Sequence, residues 1–195
     1  MKSLISLLLV AVAALSSGCA AVVVGGAAAA GGAVVVDRRQ PDVMATDERI
    51  ELTANQRIEK KAGAGGHINV TSYNRLLLLT GEIATEALKA EAESIGAAVP
   101  DVRSVANELI VGPPTSLESR SRDTYTTGQV KARMVSAQKF NPLHVKVITE
   151  NGVVYLMGLV TEKEATDAAQ IASTTSGVKK VVRVFEYIPA PPPKS

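Results

Sequence analysis

Side chains with intrinsic reactivity are few in this chain of 195 residues: one cysteine, Cys19, and two histidines, His67 and His144. A lone cysteine cannot close an intramolecular disulfide, and without a second thiol there is no cysteine cluster to hold a metal. The histidines open two similar segments, His67-Ile68-Asn69-Val70-Thr71 and His144-Val145-Lys146-Val147-Ile148. Duplication explains that placement better than convergence on one ion. There is no phosphate-binding glycine loop and no supported Ser/His/Asp order. These patterns argue against an enzyme, and a hydrolase or metal protein using His67 or His144 is the weakest reading.

Cys19 has a different context. Lys2 gives a short positive start, Leu4 to Leu15 is apolar but too short to span a bilayer comfortably, and Ser16-Ser17-Gly18 follows. That is the layout of an export signal. Leu15-Ser16-Ser17-Gly18-Cys19 resembles the lipobox of bacterial lipoproteins, although Ser16 stands where leucine is commonest. The resemblance implies a signal peptide over residues 1–18 and a covalent N-acyl diacylglyceryl lipid on Cys19, with no other cofactor. Ala20, where Asp would signal inner-membrane retention, implies an outer-membrane anchor facing the periplasm. Ala20 to Val36 is uncharged and carries four glycines, a composition weakly hydrophobic and poor at holding a helix. Residues 19–45 are therefore read as a lipidated, flexible tether.

The elements behind the tether come in duplicate. The two histidine segments stay in register at an offset of 77 as far as Gly81 and Gly158, and at 76 beyond, where Thr85-Glu86 meets Thr161-Glu162. Upstream, Ala54 and Ile58 pair with Val130 and Met134. Each copy reads as helix, strand, strand, helix, strand. In the second copy Asn151-Gly152 is a strong hairpin turn between alternating strands. Thr161-x-x-Glu164 is a capping box, Gly177 suits the helix end, and a last strand follows from Val178 to Ile188. In the first copy Asn74-Arg75 makes the turn and Val102 to Val111 is the final strand. The boundaries are a first module over 46–112, a linker over 113–122, a second module over 123–188 and a proline-rich tail over 189–195. Each module has a thin core, so mutual packing is expected.

A strand, an Asn-Gly turn, an apolar strand ending at a central glycine, a Thr/Glu-led helix and a final strand resemble the BON domain, most clearly over Val145 to Ala165. Arg75, in place of the hairpin glycine, is where the first copy departs. Two such modules behind a lipobox resemble the dual-BON outer-membrane lipoproteins of Gram-negative bacteria. The fold class implied is α+β, with two tandem modules each built of a small mixed sheet on two helices; an extra leading strand is left open.

The formal net charge is only +2, and with no Trp and few aromatics the chain lacks a stacking platform for nucleic acid. Charge is unevenly divided: residues 46–111 carry 7 Lys/Arg against 10 Asp/Glu, and residues 116–188 carry 10 against 7. Much of the positive charge falls between Arg120 and Lys146. Over Asp123 to Lys139, helical spacing turns Val130, Met134 and Ala137 toward the sheet and leaves Tyr125, Gly128, Lys131, Ala132, Val135 and Lys139 on the outer face. A mixed apolar and basic face suits an anionic bilayer; it could equally pack against the first module. The family resemblance favours the bilayer, implying binding of anionic phospholipid (cardiolipin or phosphatidylglycerol class) and support of outer-membrane integrity. The alternative is a protein-binding adaptor for outer-membrane assembly machinery.

Overall fold

The computed structural model describes residues 37–62 and 66–190; the lipid attachment expected at Cys19 lies outside them. The described residues form one compact unit.

The first module starts on helix α1, Pro41–Ala62, where proline costs no hydrogen bond at the first helical position. Ile50, Ala54 and Ile58 fall on one stripe and are fully buried. Strand β1, His67–Tyr73, pairs antiparallel with β2, Leu76–Ile83, closing on Tyr73 opposite Leu76. Both turn residues, Asn74 and Arg75, have positive φ, as the common two-residue hairpin turn demands. Helix α2, Glu86–Ala97, is capped by Thr85, whose side chain accepts from the Leu88 amide. It returns the chain to β3, Ser104–Asn107, and β4, Ile110–Val111, both parallel to β2.

The expected continuous strand from Val102 to Val111 is thus broken at Glu108-Leu109. Opposite the break, Gly81 takes φ +103°. Leu109 is buried among the residues under the helices, and its amide takes the Asn107 side-chain oxygen at 3.3 Å instead of a strand partner.

The second module repeats the plan. Helix α3, Leu117–Ala137, leads through a short 3-10 turn, Pro142–His144, to β5, Lys146–Glu150, and β6, Val153–Val160. Helix α4, Glu162–Ser173, carries the expected capping box, and β7, Lys180–Tyr187, runs unbroken and parallel to β6. Among the described residues neither module has a leading strand ahead of its first helix.

One face of each sheet holds its helices through its own core, with Leu77 and Leu79 under α1 and α2, and Val154 and Leu156 under α3 and α4. The opposite faces meet each other: Tyr73 and Leu78 pack with Tyr155 and Met157. An apolar run such as Leu76 to Leu79 is what a strand buried on both faces requires. Polar ties rim this seam. Lys146 Nζ donates to Glu51 Oε1 at 2.8 Å, and Glu186 Oε1 accepts from Asn74 at 2.9 Å and Arg103 at 2.6 Å.

Two boundaries differ from the sequence reading. Helix α1 begins at Pro41, so the last residues assigned to the tether are helical. Residues 37–40 ahead of it form a strap over the seam: Arg38 donates to Leu159 O and to both oxygens of Glu164 in the second module, at 2.7, 2.7 and 2.9 Å. Its neighbour Arg39 donates to Asp47 at 2.8 Å and lies 4.2 Å above the Tyr73 ring in the first. The other difference is that α3 begins at Leu117, inside the stretch read as linker over 113–122. Ser116 caps it by accepting from the Ser119 amide, which satisfies one of the orphan donors of the first turn.

Candidate functional site: the outer face of helix α3

Helix α3 is fixed from beneath. Val130 and Met134 are buried in the second core, and Thr126 and Asp123 are buried with them. The Asp123 carboxylate accepts from the Asn151 and Gly152 amides, both at 2.8 Å, clamping the hairpin turn against the helix. Asp47 does the same in the first module, accepting from the Asn74 and Arg75 amides at 2.8 and 2.7 Å and from the Ser72 hydroxyl at 2.7 Å. Sequence reading passed over both aspartates. Their repetition at the 76-residue offset was the available signal.

The opposite side of α3 is bare. Tyr125 is 69% exposed and Val135 61%; Lys131 and Ala132 are exposed, and a side chain at Gly128 would meet open space. Packing of this face against the first module is therefore excluded. Leu117 was missed because it lay in the segment read as linker, yet it is 78% exposed. At 100° per residue it projects with Val135, so a broken apolar stripe, interrupted by Ser121, Thr124, Gly128 and Lys131, runs along the helix.

Lys139 does not belong to that face. The helix ends at Ala137, Gln138 turns left-handed at φ 49°, and Lys139 Nζ reaches back to Asp167 at 3.1 Å. Ala137, expected against the sheet, is exposed at the last position of the helix. The other cations of the segment are also largely engaged. Arg120 donates to Thr115 O at 3.0 Å, and Arg133 covers the end of α4 through Thr175 and Thr174 at 2.8 and 3.1 Å. Arg122 pairs with Glu118, and Lys146 with Glu51. Lys131 makes no hydrogen bond or ion pair among the described residues. The face is consequently more apolar and less basic than its composition suggests.

The histidines sit apart from it. Burial, then the Arg120 charge, lowers His67; burial, then Arg38, lowers His144. Among the described residues no three His, Cys, Asp or Glu side chains converge as a metal site. Glu164 carries both the capping box and the Arg38 pair: burial works to raise its carboxyl, but Arg38 and the Thr161 amide and hydroxyl outweigh it and hold it at about 2. In the opposite sense, burial, reinforced by the Asp123 and Glu82 charges, pushes Glu150 up to about 7 even though Asn69 donates to it. No helix among the described residues is long and apolar enough to cross a membrane.

These features define a class: a tandem α+β protein whose two sheets pack together and whose second copy exposes one helix face. The BON domain family model matches it twice, over residues 46–113 and 122–189. The chain therefore belongs to the BON-domain family, in a two-domain form. It is 40% identical over 154 residues to the outer membrane lipoprotein DolP of Haemophilus influenzae, covering 78% of this chain and 80% of that protein. It is 31% identical over 149 residues to a 21 kDa hemolysin of Actinobacillus pleuropneumoniae, covering 76% of each. Osmotically-inducible protein Y of Escherichia coli is 33% identical over 117 residues, 58% of each chain.

Proposed function

We propose that this protein is held by lipid on Cys19 at the periplasmic face of the outer membrane, and that its second BON domain binds anionic phospholipid through the outer face of α3. It acts by binding, not catalysis, and supports outer-membrane integrity. The observation that carries the reading is the stripe of Leu117, Tyr125 and Val135, uncovered along a helix whose other side is firmly seated. Such a stripe gains by leaving water at a bilayer surface, and Lys131 beside it adds on the order of 1 kcal/mol near anionic lipid. The corresponding face of α1 carries Arg49, Asn55, Gln56 and Glu59 around one exposed leucine, Leu52, and offers no comparable surface. An anchor at Cys19 makes a weak contact sufficient, because the helix is kept at high local concentration beside the membrane. Support for the location comes from the lipobox-like sequence and from the relative whose name is outer membrane lipoprotein.

Vesicle sedimentation of the anchor-free chain tests this. Uptake on vesicles containing phosphatidylglycerol or cardiolipin is expected, with Val135→Glu reducing it roughly tenfold, since one buried apolar group and one added charge together exceed 1.4 kcal/mol. If the protein ignores anionic vesicles, or if Val135→Glu changes nothing, the lipid site fails and the adaptor reading takes its place.

A further inference from the structure

Beside the apolar stripe a cavity of about 400 Å³ opens between α3, the Asn151-Gly152 turn and the loop that follows α4. Tyr125 lines it and also belongs to the stripe, so the cavity mouth and the apolar face share an edge. Two cations face the space. Among the described residues Arg122 is held only by Glu118, four residues earlier on the same exposed surface, and Lys179 Nζ donates only to the Asn151 side-chain oxygen at 3.1 Å. Both bonds lie in solvent and are readily exchanged for a stronger charge-assisted bond to an anion. Asp123 also borders the cavity, but its carboxylate is spent on the two turn amides. At the end of α4, Arg133 donates to the Ile171 carbonyl at 3.3 Å and to the Thr174 hydroxyl at 3.1 Å. Ser176 and Gly177 complete the wall. The stem of Lys179 lies where a side chain on Gly152 would sit, 3.0 Å from the position of its Cβ, so the turn glycine is what lets this lysine lie across the cavity floor.

The first module keeps a space of about 370 Å³ at the same place, but it is walled differently. Arg75 replaces Gly152, Arg103 replaces Lys179 and is tied to Asn74 O and Glu186, and Thr46 replaces Arg122. The strap residues Arg38 and Arg39 also line it, and both are already bonded, to Leu159 and Glu164 and to Asp47.

The geometry points to a headgroup site: the cavity takes the phosphodiester of an anionic glycerophospholipid between Arg122 and Lys179, while the lipid's apolar part lies along Tyr125 and the stripe. This rests on the bilayer reading of α3 and adds the group that would tell anionic from zwitterionic lipid. A phosphodiester oxygen needs donors at the boundary between apolar and wet surface, and this is where the two cations stand.

The test uses the domain pair from residue 36 onward, whose cores are all internal to it, on vesicles of phosphatidylcholine alone or with phosphatidylglycerol. The double variant Arg122→Gln, Lys179→Gln should lose at least fivefold of the preference for phosphatidylglycerol while uptake on phosphatidylcholine is unchanged. The charge-matched Lys60→Gln, Lys61→Gln should lose little. A preference retained by the first variant, or lost equally by both, overturns the headgroup site while leaving the stripe intact; Val135→Glu without effect removes the stripe itself. Amide shifts at Gly152 and Gly177 separate the possible sources of phosphate. Short-chain phosphatidylglycerol should move them at lower concentration than inorganic phosphate, and an equal response to both overturns the assignment to lipid.

Discussion

Asp47 and Asp123 hold the same position in the two BON domains, and each spends its carboxylate on the amides of the turn that follows. Gly81 and Gly158 likewise lie against the backbone carbonyls of His67 and His144, where a Cβ would come within 1.9 and 2.2 Å of the oxygen. What the copies share is thus the set of devices that fix the hairpin to its helix and to its neighbouring strand. Their differences lie at the surface and the seam. Glu59 stands in for Val135, Arg75 for Gly152, and Tyr73 occupies the register position of Glu150. Duplication preserved what folding needs and left the exposed helix face free to diverge, so one domain is polar and bridged there while the other is apolar and open.

Four changes break or sharpen that comparison. The largest effect belongs to the shared glycines: Gly81→Ala and Gly158→Ala should each cost roughly 3 kcal/mol or more, because the carbonyl in the way is backbone and cannot rotate aside. A melting temperature equal to wild type for either would show that the close approach is not a constraint common to both copies.

Next comes pH. The folded state holds Glu150 near 7, above the 4.5 of an unperturbed carboxyl, so it favours the protonated form. Its contribution is complete below about 4.5 and is lost as pH rises through about 7, a change of about 3 kcal/mol at most. Denaturation of wild type against Glu150→Gln over pH 4.5 to 8 should show the slope flattened in the variant, where Asn69 still has an oxygen to bond.

The turn clamps should follow at about 2 kcal/mol each for Asp47→Ala and Asp123→Ala, as buried amides lose a charged acceptor. The first should be more sensitive, because Arg75 holds φ 65° without being glycine. Arg75→Gly should recover up to about 1 kcal/mol in the Asp47→Ala background, and chemical denaturation of the double variant measures it. The smallest effect is Gly128→Ala, a gain of about 0.8 kcal/mol from a helix-interior glycine facing open space; a loss of stability in a thermal melt would mean that position is packed after all.

The repeat, the Asn151-Gly152 hairpin and the Thr161/Glu164 capping box were legible because each is written in neighbouring residues. Mutual packing of the modules could be anticipated from their size, but not the pairing of Tyr73 and Leu78 with Tyr155 and Met157, which depends on which sheet faces turn together. Val130, Met134, Tyr125 and Val135 could be placed by helical period alone. Leu117 could not, since a serine- and arginine-rich stretch reads as linker until the Ser116 cap is recognised. Helical period puts Lys139 on that face only when it is continued past the helix end at Gln138. The basic character of the segment was overread for a different reason: counting Arg120, Arg133, Lys139 and Lys146 says nothing of the carbonyls, hydroxyls and carboxylates that engage them.

The strap of residues 37–40 has a mechanical consequence. A pull arriving along the chain from the N-terminal side reaches Arg38 and Arg39 before it reaches α1, and the two arginines divide the load, Arg38 passing it to Leu159 and Glu164 and Arg39 to Asp47 and Tyr73. Tension applied there is then borne by both domains at their junction, as a strain-relief fitting on a cable protects the joint behind it.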